Sequence, residues 1–148
     1  MGMLDDLKTI TKPPSSSPAP DIVSPRRIKK ILVVEDEKVL ADALEIKLKH
    51  EGYEVYKAEN GQAGLELTKT VKPDLLLLDL MMPVMDGKTM LHHLREIPEF
   101  KTLPVVVLTN AGDVDNIRET QMYYNVNNFL IKSNVSTADI VKQVRDII

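Results

Sequence analysis

Five short apolar runs punctuate the chain, and between them apolar residues recur at helical spacing. The first run, Ile31, Leu32, Val33 and Val34, is β-branched and too short for a buried helix. In residues 37–50, Leu40, Ala43, Leu44 and Leu48 share one helical face, and Gly52 stands where a left-handed C-cap belongs. Residues 53–58 predict a second strand. Asn60 is placed to cap a helix running to about residue 70, which Pro73 helps to stop. A third strand covers 74–78 and is apolar after Asp74. A third helix over 87–97 stops near Pro98, and Pro104 opens a fourth strand over 105–108. Residues 113–123 predict a fourth helix, 128–131 a fifth strand, and Ser136 caps a last helix reaching Ile148.

The pattern is five β-α units. Continuous apolar strands, as opposed to alternating ones, have both faces covered, as in a parallel sheet between helices. Right-handed crossovers then place helices on both sides. The expected fold is α/β: a doubly wound, five-stranded parallel sheet of order 2-1-3-4-5 in three α/β/α layers.

Residues 1–27 lie outside this pattern. Five of the nine prolines fall between positions 13 and 25, beside Ser15, Ser16 and Ser17. Such a stretch buries too little to offset its ordering entropy and reads as a flexible or polyproline-II leader, with one or two amphipathic turns over 3–10. The folded domain is expected over 28–148. Arg26, Arg27, Lys29 and Lys30 read as the solvated entry to the first strand in preference to a nucleic-acid patch.

Composition narrows the function. A net charge of −3 gives no reason to expect direct nucleic-acid or membrane binding. The absence of Cys removes disulfides, thiolate metal sites and a Cys nucleophile, and fits a cytoplasmic protein. No apolar run approaches the roughly 18–20 residues that span a bilayer, and the N-terminus does not read as a signal peptide.

In a doubly wound sheet, ligands bind beyond the carboxyl ends of the strands, at the switch point between strands 1 and 3. Strand 1 delivers Glu35 and Asp36 there, strand 3 Asp79, strand 4 Thr109 and strand 5 Lys132. Three carboxylates this close need a counter-charge, and oxygen ligands suit Mg²⁺. A carboxylate is also a nucleophile toward phosphorus, in a transfer that needs mainly positioning and charge neutralisation. Taken singly, each residue has a plainer role. Asp36 and Glu37 suit a helix N-terminus, Asp79 and Thr109 are ordinary loop or cap residues, and Lys132 is an ordinary solvated lysine. The chemistry rests on all the strand ends carrying the right group at once.

Four segments together resemble one family. Ile31-Leu32-Val33-Val34-Glu35-Asp36-Glu37 is similar to the opening acidic motif of response-regulator receiver domains. Asp74-Leu75-Leu76-Leu77-Leu78-Asp79-Leu80-Met81-Met82-Pro83-Val84-Met85-Asp86-Gly87 resembles their phosphoacceptor motif throughout. Val105-Val106-Val107-Leu108-Thr109 looks like the strand with the switch hydroxyl, and Phe129-Leu130-Ile131-Lys132 like the strand with the switch aromatic and the lysine. The resemblance covers about 28–148 and implies the flavodoxin-like fold of chemotaxis-regulator-like receivers. It implies that Asp79 is phosphorylated, and that Glu35, Asp36, Asp79 and the backbone carbonyl of Met81 bind Mg²⁺. It also implies that Lys132 and Thr109 contact the phosphoryl group while Phe129 turns inward. The donor would be a histidine kinase or a histidine phosphotransfer domain. The face of helix 4, strand 5 and helix 5 would then select a downstream partner protein or an output domain not in this chain.

Three positions depart from the family. Ser133 follows the lysine where Pro, joined by a cis bond, is common. Either a strained cis Lys132–Ser133 bond or a changed loop is expected, since a non-proline cis bond costs roughly 2.5–4 kcal/mol. Asn110 replaces a small residue beside Thr109. Met81 and Ala111 cannot orient an attacking water, so slow aspartyl-phosphate loss is expected. The rival readings are a degenerate receiver that binds partners without phosphorylation, and a Mg²⁺-dependent phosphohydrolase with an aspartate nucleophile. The hydrolase lacks a general acid, because Met81 occupies its position. The receiver reading makes the chain no enzyme beyond its own phosphorylation and dephosphorylation. With the last helix ending at Ile148, the chain reads as a stand-alone receiver or as a piece of a larger regulator.

Overall fold

A computed structural model describes residues 27–148. The leader, the turns over 3–10 and Arg26 lie outside the described residues; of that segment only Arg27 is seen. The elements are β1 (Lys30–Val34), α1 (Lys38–His50), β2 (Glu54–Ala58), α2 (Gly61–Val71), β3 (Leu75–Asp79), α3 (Gly87–Arg95), β4 (Val105–Thr109), α4 (Val114–Tyr124), β5 (Asn128–Ile131) and α5 (Thr137–Ile147). The strands are all parallel, in the expected order β2-β1-β3-β4-β5.

The continuous apolar strands divide their side chains between two cores, because successive residues of a strand point to opposite faces. Leu32, Val34, Leu76, Leu78, Val105 and Val107 pack with Leu65 of α2 and Met90, Leu91 and Leu94 of α3. Ile31, Val33, Leu75, Leu77, Val106 and Leu108 pack with Ala41, Leu44 and Leu48 of α1 and Ile140, Val141 and Val144 of α5. The three central strands are buried on both faces, while edge strand β5 is only half-buried.

Local signals end the helices largely as expected. Gly52 takes φ +99°, where a side chain would be strained, and its N–H donates to Lys49 O at 3.0 Å to close α1. The Asn60 side chain accepts from Ala63 N at 2.8 Å to start α2. Ser136 and Asp139 form a reciprocal capping box on α5. Several boundaries shift by one or two residues. Helix α3 stops at Arg95, before residue 97, because Pro98 drives Ile97 into extended backbone and then opens a 3-10 turn, Pro98–Phe100. Asp79 and Thr109 are the last residues of their strands, not the first residues after them.

One half-buried side chain ties this end of the fold together. The Arg95 guanidinium donates to the carbonyls of Tyr124 (2.8 Å), Phe100 (2.7 Å), Leu103 (2.9 Å) and Asn125 (3.3 Å). It therefore joins the end of α3, the approach to β4 and the carbonyl end of α4, where positive charge also suits the helix dipole. The flat guanidinium serves several carbonyls at once, which an ammonium does not. Arg95→Ala strands those carbonyls and is expected to cost about 2–4 kcal/mol in urea unfolding, with Arg95→Lys recovering only part. A loss below about 1 kcal/mol would show that water replaces the clamp.

Candidate functional site

The carboxyl ends of β1, β3, β4 and β5 converge, and the sheet order puts β1 beside β3. Glu35 continues β1 by one more sheet bond, its N–H donating to Ala58 O at 3.0 Å, and is 2% exposed. Asp79 closes β3 and is also 2% exposed, whereas Asp36 faces solvent. Lys132 reaches across from the end of β5. Its Nζ lies 2.9 Å from Glu35 Oε1, 3.0 Å from Glu35 Oε2, 3.1 Å from Asp79 Oδ2 and 3.0 Å from Glu37 Oε1.

Burial sets the electrostatics. It pushes the Glu35 carboxyl up to about 7, with the Asp79 charge adding to the rise and the Lys132 hydrogen bond opposing it. Asp79 is raised too, again chiefly by burial, against the pull of the Lys132 charge and hydrogen bond. For Lys132, burial alone would favour the neutral amine. Its hydrogen bonds to Glu35 and Glu37, with the charges of Glu35 and Asp79, outweigh burial and raise its pKa. One ammonium thus faces three carboxylates, with Asp36 at the opening.

The loop after Asp79 is held by backbone contacts. Met81 N donates to Asp79 Oδ1 at 3.1 Å, Gly87 N to Leu80 O at 2.9 Å and Gly61 N to Met85 O at 2.8 Å. Gly87 is required by close approach: a Cβ there would lie 2.3 Å from the Asp79 carbonyl oxygen. Val84 takes φ +69°, unusual for a β-branched residue, at the exposed tip of this loop.

Of the other expected site residues, Thr109 is fully buried at the end of β4, and Phe129 is half-buried against the core under α2 and α3. The Met81 side chain, Asn110 and Ser133 are exposed. Of the two outcomes expected at Ser133, the changed loop holds. There is no cis bond among the described residues, and Lys132–Asn134 form a 3-10 turn that still delivers Lys132 to the acids.

Two participants were not singled out from the sequence. Glu37, read only as an acid suited to a helix start, stands at the N-cap position without capping, and its carboxylate binds Lys132 instead. Asp113 accepts the Thr109 hydroxyl at 2.9 Å. Its only sequence signal is an acid four residues after Thr109, which reads equally well as a helix cap.

The donor set fits a hard divalent cation. Glu35, Asp36 and Asp79 each offer an oxygen within 4.8 Å of the others. Glu35 Oε1 is buried and accepts no aligned hydrogen bond despite its closeness to Lys132. An open groove lined by Glu35, Asp36, Lys57 and Glu59 adjoins them.

The comparisons with known proteins agree with this geometry. The family model for the response regulator receiver domain matches residues 31–145, from β1 into α5. A protein described as a response regulator from Chloroflexus aurantiacus J-10-fl is 31% identical, with a TM-score of 0.72 over 82% of this chain and 98% of that one. The signal receiver domain of a signal transduction histidine kinase from Syntrophus aciditrophicus is 27% identical, with a TM-score of 0.71 over 80% and 88%. The Mn(2+)-bound form of response regulator Rcp1 is 31% identical, with a TM-score of 0.67 over 80% and 91%. Fold, rim chemistry and sequence match thus meet on one assignment, and the chain belongs to the response regulator receiver domain family of two-component signalling.

Proposed function

We propose that Asp79 is the phosphoacceptor of this receiver and takes its phosphoryl group from the phosphohistidine of a histidine kinase or histidine phosphotransfer domain. The observation that carries the reading is the Lys132 ammonium shared between two buried carboxylates, Glu35 and Asp79. The Met81 N–H and Lys132 hold the two oxygens of Asp79 in a fixed orientation. One of them attacks phosphorus as the P–N bond breaks, and the leaving electron pair stays on the imidazole nitrogen. Such a transfer asks the protein for alignment and charge compensation, not for covalent help. Lys132 compensates charge on a phosphoryl oxygen, and Thr109 donates its hydroxyl to another. Mg²⁺ held by Glu35, Asp36, Asp79 and the Met81 carbonyl would supply the remaining neutralisation, a role supported by the oxygen donor set and by the Mn(2+)-bound form of Rcp1.

The output follows from the same groups. Withdrawal of Thr109 toward the phosphoryl group frees space behind it, into which the half-buried Phe129 turns. The face of α4, β5 and α5, where Met122 and Tyr123 stand exposed, then changes its preference for a partner protein or an output domain. A cytoplasmic location goes with this reading. Among the described residues, no helix is long and apolar enough to cross a membrane.

Incubation with a small-molecule phosphodonor and Mg²⁺ is expected to add one phosphoryl group by intact-mass spectrometry, and Asp79→Ala is expected to add none. An adduct that persists in the variant would move the acceptor elsewhere.

Cation binding should depend on pH in a defined direction. Without a cation, Glu35 keeps its proton up to about pH 7, and the ligand must be the carboxylate, so binding expels a proton below that pH. Mg²⁺ affinity measured by calorimetry is therefore expected to weaken about tenfold per pH unit below 7. Glu35→Gln should bind weakly with little slope, and an affinity flat from pH 8 to 6 would remove Glu35 from the ligand set.

The side chains of Met81 and Ala111 cannot orient an attacking water by hydrogen bonding, so the phosphorylated chain is expected to decay slowly. Met81→Asn should shorten its lifetime about tenfold, the worth of one positioned hydrogen bond. Rapid wild-type decay that Met81→Asn leaves unchanged would contradict this.

A further inference from the structure

The helix N-termini differ in one informative way. Asn60, Asp86 and Ser136 each sit in extended backbone, with ψ of 171°, 169° and 170°, and each side chain accepts from the third amide of its helix. Asp113 is of an equally good capping type. Yet its backbone is at φ −95°, ψ 37°, and its carboxylate caps nothing in α4. That carboxylate accepts the hydroxyl of fully buried Thr109 at 2.9 Å instead.

A hydroxyl has one proton and can serve one acceptor at a time. We infer that Asp113 is a latch: its carboxylate holds the Thr109 hydroxyl in the unphosphorylated chain, and once Thr109 turns to the phosphoryl group the freed carboxylate caps α4. The second half rests on the reading of Asp79 as phosphoacceptor; the first does not. A released carboxylate at the positive end of a helix has an immediate alternative in the N–H groups of Asp115 and Asn116. Asn116 and Glu119 accept from Lys88 Nζ at 3.2 Å each, so a change in that first turn is felt by α3 as well. Asp113 is a positioning residue: it acts through Thr109 on one side and α4 on the other.

The test is amide hydrogen exchange on the full chain, read by NMR at Asp115 and Asn116. In unphosphorylated Thr109→Val, which keeps the shape and removes the proton, at least one of these amides is expected to exchange about fivefold more slowly than in the wild type. Adding Asp113→Ala should abolish the slowing, whereas adding Asp113→Asn, an equally good cap, should preserve it. Exchange in Thr109→Val equal to wild type overturns the latch. If Thr109→Val does not fold, the wild type decides: the same amides slow when the phosphodonor labels Asp79, and do not slow in labelled Asp113→Ala. A labelled wild type without slowing overturns the latch and leaves Asp79 as acceptor. A wild type that takes no label overturns the phosphoacceptor reading and with it the release half of the latch.

Discussion

The site depends on one ammonium among buried acids. Glu35 and Asp79 come from neighbouring strands and have almost no contact with water. Two carboxylates in that position repel each other and are each penalised by desolvation. Lys132 makes the arrangement tenable, and it arrives from β5, two strands beyond β3. Compensation is incomplete, because Glu37 also claims the ammonium and Asp36 adds charge at the mouth. The surplus negative charge is what a divalent cation would relieve. It also explains why a phosphoryl group, itself anionic, would need such a cation to approach Asp79.

The fold was largely legible in the sequence for a related physical reason. Strands covered on both faces must be continuously apolar, so the runs Leu75 to Leu78 and Val105 to Leu108 stand out against any helical pattern. Once the strands are placed, chirality and the switch-point rule bring their carboxyl ends together. Element ends were less legible. Asp79 and Thr109 read as loop residues because they are polar, yet their backbones finish the ladder. The loop after Lys132 was open between two forms, and only three-dimensional packing selects the turn that keeps Lys132 on the acids.

What the sequence hid were contacts whose partners have a second plausible use. Glu37 and Asp113 are both acids at helix starts, where acids are favoured for local reasons. Whether such a side chain turns to its own helix or to a neighbour depends on what the neighbour offers. Lys132 outbids the helix for Glu37, and the Thr109 hydroxyl does so for Asp113. Arg95 was invisible for the opposite reason. Its partners are backbone carbonyls, which carry no sequence signal at all.

These contacts give α4 unequal ends. Its carbonyl end is pinned through Tyr124 and Asn125 to Arg95, which also binds the approach to β4. Its amide end has no side-chain cap and is held through Asp113 to the Thr109 hydroxyl at the carboxyl end of β4. A helix fixed at one end and poorly satisfied at the other has a ready pivot, and its stability can be changed by a single hydrogen bond. Under the proposed function, signal transmission would require no long mechanical path. A phosphoryl group on Asp79 would set where the Thr109 proton is needed, and under the proposed latch the position of that proton would set how well α4 begins.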